Sequence, residues 1–313
     1  MRNTRKKELS RRSFIKIGTT AATVFSIVPG HVVGANGKTP PSEKLNIAGI
    51  GIGGMGRGNI GACKGENVVA LCDVDSAYAG KTFKAHPNAA TYVDYRLMLE
   101  KQKDIDAVVI ATPDHTHAVI TMAAIEMGKH VYCQKPLTHT VEEARKITAA
   151  ARASKVQTQM GNQGHSSDAI RVVREWVQSG SIGDVKEVHA WTDRPDDGPW
   201  YANFGARDLP SDFPAVPDSL NWDLWLGPTQ DRKFSPAYHP FKWRAWLDFG
   251  TGALGDMGCH ILDPACWALD LMNPSSITAE VKHHKPELAG KAHPIAATVT
   301  YEFPQRGTLC PMK

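Results

Sequence analysis

Three glycines at the exit of a short apolar run constrain this 313-residue chain more than any other feature. Gly51-x-Gly53-x-x-Gly56 follows Leu45 to Ile50, a run that reads as a buried strand, and opens a helical pattern from about Arg57 to Lys64. Without side chains there, the backbone can turn tightly, approach a pyrophosphate and pack helix on strand, and the helix N-terminus then faces the phosphates. The next apolar run, Val68 to Leu71, leads through Cys72 to Asp73. A carboxylate at that point can accept hydrogen bonds from the adenosine ribose and repels a 2′-phosphate, which predicts NAD rather than NADP. Asp75, two residues on, reads instead as a helix N-cap.

The glycine turn belongs to a longer alternation. Apolar runs at Ala107 to Ala111 and His130 to Cys133 continue the strands, and helical stretches lie at Ser76 to Ala85, Tyr95 to Gln102, Ala118 to Met127 and Val141 to Ala153. Continuous apolar strands between amphipathic helices predict a parallel sheet covered on both faces. Thr140-x-x-Glu143 is a capping box that fixes the start of the last helix. Past Gly161 the pattern changes: Ser167 caps a helix to Gln178 that stops at Gly180, and a strand pattern covers Val185 to Thr192. A stretch rich in Trp, Pro and Asp then runs to about Lys242, followed by a helix from about Asp256 to Leu271 and strands at Ser276 to His283 and Ile295 to Phe303. The expected fold is an α/β Rossmann domain with a doubly wound parallel sheet over residues 44–160. An α+β domain with a mostly antiparallel open sheet follows over residues 161–313. The end at Lys313, soon after a strand-like run, reads as a truncated domain, and an open sheet face favours a homo-oligomer.

Ahead of the sheet lies Ser10-Arg11-Arg12-Ser13-Phe14-Ile15-Lys16, which reads as a twin-arginine export signal. The apolar run after it, Ile17 to Val28, is too short and too rich in Thr and Ala to span a membrane. Residues 1–35 are therefore expected to be a signal peptide cleaved after Val33-Gly34-Ala35, with a linker over 36–43. This implies export of the folded protein by the twin-arginine machinery to the periplasm, with no stable membrane span afterwards. Seven basic residues against Glu8 give the first sixteen positions +6 of a formal +4, so the remainder carries −2. That balance excludes a nucleic-acid or anionic-membrane surface and leaves a small molecule as the ligand. The six cysteines (63, 72, 133, 259, 266, 310) show no zinc spacing, and Cys72 and Cys133 read as buried free thiols; a disulfide such as Cys259 to Cys266 stays open.

Several residues carry chemistry. Lys135 follows the last apolar strand, and the carboxyl ends of such strands are where α/β sheets bind ligands. A cation there stabilises a developing alkoxide or, with a depressed pKa, acts as a base. Asp256 and His260 are four apart on one helix, where a carboxylate can orient an imidazole into a general base near neutrality. Asp256 also sits where a helix N-cap would fall. Asp263 continues that face, but no second His or Cys cluster matches it, and no metal is expected. Trp191 to Pro195 and Trp243 to Trp246 place aromatic rings beside Arg194 and Arg244, a mixture that suits a carbohydrate pocket.

From about Leu45 to Phe303 the chain resembles the glucose-fructose oxidoreductase, inositol dehydrogenase and rhizopine-catabolism family of sugar and polyol oxidoreductases. The resemblance rests on Gly51-Ile-Gly-Gly-Met-Gly56, Ala111-Thr-Pro-Asp-His-Thr-His117, Gly128-Lys-His-Val-Tyr-Cys-Gln-Lys-Pro136 and Gly255-Asp-Met-Gly-Cys-His260. The family usually has Glu-Lys-Pro where this chain has Gln134-Lys135-Pro136. The resemblance implies cofactor contacts from Gly51, Gly53, Gly54, Met55, Gly56, Asp73, Thr112, Pro113, Asp114, His117, Gln134, Lys135 and Asn162. It also implies His260 as proton acceptor, Lys135 as electrostatic partner, Asp256 as substrate ligand and orienter, and a dimer or tetramer.

The function expected is an exported NAD-dependent oxidoreductase acting on a secondary hydroxyl or keto group of a sugar, glycoside or polyol. Because the twin-arginine route carries folded proteins into a compartment with little free NAD, the cofactor should be loaded first and held tightly. One alternative is a redox-assisted glycoside hydrolase of the same fold, and another a non-catalytic ligand-binding protein.

Overall fold

The computed structural model describes residues 39–194, 205–282, 284–307 and 311–312; the expected export signal and cleavage region lie outside them. Six strands form one sheet: β1 Asn46–Ile50, β2 Asn67–Cys72, β3 Ala90–Tyr92, β4 Ala107–Ile110, β5 His130–Gln134 and β6 Thr158–Gly161. Their spatial order is β3-β2-β1-β4-β5-β6, every neighbouring pair parallel. The connecting helices are α1 Met55–Ala62, α2 Gly80–Ala85, α3 Tyr95–Lys101, α4 Asp114–Glu126 and α5 Val141–Ala153. The strand order reverses between β1 and β4, and the crevice beyond their carboxyl ends is where such sheets take ligands. One apolar layer, including Ile50, Val108, Ile110, Ile120 and Ile147, packs on one face of the sheet, and Ile47, Ile52, Ile60, Leu71 and Val109 pack on the other. Burial of each such side chain contributes on the order of 1.5–3 kcal/mol.

Past β6 come α6 Asp168–Gln178, α7 Trp222–Leu226, a 3-10 turn at Lys242–Ala245, α8 Gly252–Ile261 and α9 Asp263–Ala268. An antiparallel pair, β7 Ser276–Lys282 and β8 Ala296–Glu302, follows. The core here is aromatic. Trp222, Trp225, Phe234, Tyr238, Trp243, Trp246 and Phe249 are buried together, with Trp222 and Trp225 stacked at 4.7 Å. The stretch rich in Trp thus supplies a core: Trp243 and Trp246 are inside, and the Trp246 indole donates to the Ala237 carbonyl.

Several element boundaries differ from expectation for identifiable reasons. Val185 to Thr192 is not a strand, and Trp191 within it is 80% exposed rather than packed on a sheet face. The helix expected from Asp256 begins at Gly252, hidden in sequence by its glycines, so Asp256 is mid-helix rather than a cap. It then breaks at Leu262, where Pro264 lacks the N–H needed to continue. Ser167 does precede α6, but its hydroxyl makes no capping bond. The Thr140 and Glu143 capping box forms in full. Cys63, Cys72, Cys133, Cys259 and Cys266 are all free thiols.

Candidate active site

Beyond β1 and β4 lies a cavity of about 530 Å³ whose wall begins at the glycine turn and ends at Lys135 and Asp256. Gly51 adopts φ 76°, and a Cβ on it would press on Thr112 N at 2.7 Å. A Cβ on Gly56 would overlap the Gly51 carbonyl, so α1 can approach β1 only because that atom is missing. Gly53, Gly54 and Met55 line the cavity floor, and Thr112 and Pro113 at the end of β4 line the opposite bank.

At the end of β2, Asp73 faces the same cavity. One of its carboxylate oxygens accepts from Gly53 N at 3.0 Å and the other from Asp75 N at 3.0 Å. Burial pushes its pKa up to about 6, against the main-chain hydrogen bonds that lower it. Asp75 points elsewhere. Its Oδ1 accepts from Ala77 N and Tyr78 N, as a capping carboxylate does, and its Oδ2 pairs with His239 Nε2 at 2.9 Å. The helix that follows starts only at Gly80, because these bonds shape a turn first. A glycine turn with no side chains of its own at Gly51, Gly53, Gly54 and Gly56, and a buried carboxylate at its flank, fits the diphosphate and ribose of a dinucleotide.

At the far end, Lys135 leaves β5 and its ammonium donates to both the carbonyl and Oδ1 of Asp256, each at 2.8 Å. Asp256 Oδ2 accepts from Arg194 Nη1 at 2.8 Å, and Arg244 Nε lies 3.6 Å from Oδ1. Burial alone would raise the Asp256 carboxyl, but the Lys135 ammonium first, then Arg244 and Arg194, hold it below the ordinary carboxylate range. Arg244 is held between aromatic rings, its guanidinium carbon 4.0 Å from the Phe241 centroid and 4.1 Å from that of Trp243. Arg194 and Arg244, far apart in sequence, thus meet on one carboxylate.

His260 lies one turn beyond Asp256 on α8 but is not on the cavity wall. Its Nδ1 contacts the Gln163 carbonyl at 3.2 Å, and burial, then the Lys135 charge, hold it below the ordinary histidine value. A neutral imidazole beside a lysine is competent to take a proton. Asn162 donates to the Cys259 carbonyl at 2.8 Å, while its buried Oδ1 makes no hydrogen bond. Asp263, the third residue of that sequence spacing, is paired with His165 Nδ1 at 2.8 Å.

Asp114 lines the cavity and accepts from the Thr251 hydroxyl at 2.7 Å; burial raises its pKa. His117 does not reach the cavity. It is 1% exposed, with Nδ1 on the Pro136 carbonyl at 2.7 Å and Nε2 on the Thr112 carbonyl at 2.9 Å, so it fastens the Lys135 turn from beneath. Gln134, in place of the family's usual glutamate, donates to Asn59 Oδ1 and accepts from Gln163 Nε2, both at 3.1 Å. Thr251, Phe241 and Tyr78 are site residues that the sequence reading missed. None belongs to a motif, and only the fold brings Phe241 and Tyr78 to the cavity wall and Thr251 onto the Asp114 carboxylate.

The sheet order, the glycine turn at its switch point and a lysine–carboxylate pair in the same cleft define a class, the two-domain Rossmann-fold oxidoreductases. Residues 45–162 match the oxidoreductase family with an NAD-binding Rossmann fold, and residues 168–305 match the same family's C-terminal alpha/beta domain. The chain belongs to this glucose-fructose oxidoreductase, inositol dehydrogenase and rhizopine-catabolism family. It is 28% identical over 173 residues to levoglucosan dehydrogenase of Pseudarthrobacter phenanthrenivorans, covering 55% of this chain and 35% of the relative. It is 31% identical over 162 residues to inositol 2-dehydrogenase of Serratia proteamaculans, covering 50% of this chain and 48% of that protein. The chain thus spans about half, or less, of the length of these curated relatives. Among solved structures, an oxidoreductase domain protein from Kribbella flavida superposes with a TM-score of 0.58 at 26% identity, over 83% of this chain and 64% of that one.

Proposed function

We propose that this protein is an NAD-dependent oxidoreductase that acts on a secondary hydroxyl or keto group of a sugar or polyol. The observation that carries the reading is that one continuous cavity joins the glycine turn to the Lys135–Asp256 pair. Levoglucosan and inositol dehydrogenases among the relatives support a carbohydrate substrate. NAD, when bound, accepts or returns the hydride. Asp73 holds the adenosine ribose and, as an anion, disfavours a 2′-phosphate. Lys135 directs its ammonium at the substrate oxygen and stabilises the negative charge that grows there as the proton leaves. Asp256 orients Lys135 and Arg194 by accepting a hydrogen bond from each. Arg244, stiffened by its two rings, offers fixed donors to the hydroxyls.

His260 is the proposed proton acceptor. Its depressed pKa favours the free base at neutral pH, and its place on α8 puts it under the influence of Lys135. Export before action is part of the proposal and rests on the Arg11-Arg12 signal.

The test is turnover, with added NAD, on a panel of sugars and polyols. Lys135→Ala and His260→Ala should each lower turnover by on the order of 10²–10⁴, while NAD affinity by calorimetry changes little. Near-normal turnover in both variants would remove these roles.

A further inference from the structure

Tyr78 occupies a place that no glycine motif assigns to a side chain. A methyl group on Gly53 would overlap its ring, and one on Gly54 would lie 2.9 Å from its hydroxyl. The tyrosine therefore packs its ring on Gly53 and sets its hydroxyl beside Gly54, the third and fourth residues of the turn whose main chain a diphosphate would approach. It lines the cavity and is 41% exposed, so its hydroxyl is within reach of a ligand.

The position of Tyr78 is built. Its main-chain N–H donates to Asp75 Oδ1 at 3.1 Å, and that same oxygen accepts from the Ser219 hydroxyl at 3.0 Å. The other Asp75 oxygen pairs with His239 Nε2 at 2.9 Å, and the His239 ring meets the Tyr78 ring edge-on at 6.1 Å. Asn221 N donates to the Val74 carbonyl at 2.8 Å and Ser76 N to the Ser219 carbonyl at 2.9 Å, so the segment before α7 is stitched to the loop that carries Tyr78. Asp75, although it does not face the ribose, thus acts through Tyr78.

We propose that Tyr78 is a ligand of the cofactor's diphosphate, its phenol O–H donating to a phosphate oxygen above Gly53 and Gly54, with Asp75, His239 and Ser219 as its positioning residues. The inference rests on the reading of the cavity as a dinucleotide site. A neutral donor suits this position. The hydroxyl would add a side-chain donor to the main-chain N–H groups of the turn, and a hydrogen bond to a charged acceptor is stronger than one between neutral groups.

Calorimetric titration of the full-length protein, freed of any co-purified nucleotide, with ADP-ribose and with adenosine, wild type against Tyr78→Phe, tests this. The variant keeps the ring and loses the hydroxyl. Its affinity for ADP-ribose should fall about tenfold or more, while adenosine, which has no phosphate, binds within about twofold of wild type. Unchanged ADP-ribose affinity, or an equal loss for both ligands, would overturn the role. Failure of the wild type to bind ADP-ribose at all would instead remove the dinucleotide reading on which the proposal rests.

Discussion

Two histidines separated by one residue end in opposite ionisation states. His115 is buried between Trp225 and Phe249, with Nε2 on the Trp225 carbonyl at 3.0 Å, and burial pushes its pKa down to about 4. For His117 burial also favours the neutral form, but the Cys133 sulfur, the Asp114 carboxylate and the Pro136 carbonyl outweigh it and bring the pKa up to about 9. Both rings face two carbonyls, His115 at 3.3 and 3.0 Å and His117 at 2.7 and 2.9 Å, so the shorter contacts and the Asp114 charge, not the number of carbonyls, favour the doubly protonated ring at His117. His117 contributes stability that is fully present below its unfolded value near 6.5 and is lost as pH rises through about 9, on the order of 3 kcal/mol in all. His115 does the reverse, costing stability as pH falls from 6.5 towards 4, where the unfolded chain binds the proton more readily. Urea unfolding across pH 4 to 9.5 should therefore show a maximum near pH 6.5 and an alkaline decline that His117→Gln flattens; an identical alkaline limb in that variant would exclude the assignment. Neither state was legible in sequence. Asp114 and His117 were read alike as cofactor neighbours, and only the direction in which each side chain leaves α4 separates a cavity carboxylate from a buried clamp.

The elements that sequence made legible are those whose physics is local. β1, β2, β4 and β5 are continuous apolar runs because both sheet faces are covered, and α5 carries its start in the Thr140 capping box. β3 and β6 escaped notice. Each is three or four residues long, at a sheet edge, and Thr158-Gln-Met-Gly161 has almost no apolar signal. The start of α8 was obscured by glycine, although Asp256 and His260 do share that helix as their spacing required. The glycine turn gives the element-level test. Gly56→Ala would drive a methyl into the Gly51 carbonyl, which no flexible side chain can relieve. It should destabilise the protein by about 1–3 kcal/mol and abolish dinucleotide binding, whereas Gly58→Ala, whose Cβ meets nothing within 4 Å, should be neutral or slightly stabilising. Equal thermal stability and equal NAD affinity of the two variants would show that close packing at Gly56 is not required.

For the molecule as a whole, the long-range features decide function, and although their residues could be singled out in sequence, their convergence could not. Nothing local in Arg194, Arg244 or Lys135 says that all three surround Asp256; the fold joins positions 135, 194, 244 and 256. The export signal is the other whole-molecule claim. Among the described residues no helix is long and apolar enough to cross a membrane. Changing Arg11 and Arg12 together to Lys should leave the precursor in the cytoplasm, and fractionation that recovered the variant in the periplasm at the normal level would contradict the export proposal. The central claim is that a nicotinamide dinucleotide lies along the cavity with its reactive end at Lys135. A crystal structure of the full-length protein with NADH tests it most directly. The diphosphate should lie over Gly53 and Gly54, the adenosine ribose at Asp73 and the nicotinamide ring against Lys135 and Asp256. A dinucleotide bound in the reverse sense, or away from this cleft, would contradict the account.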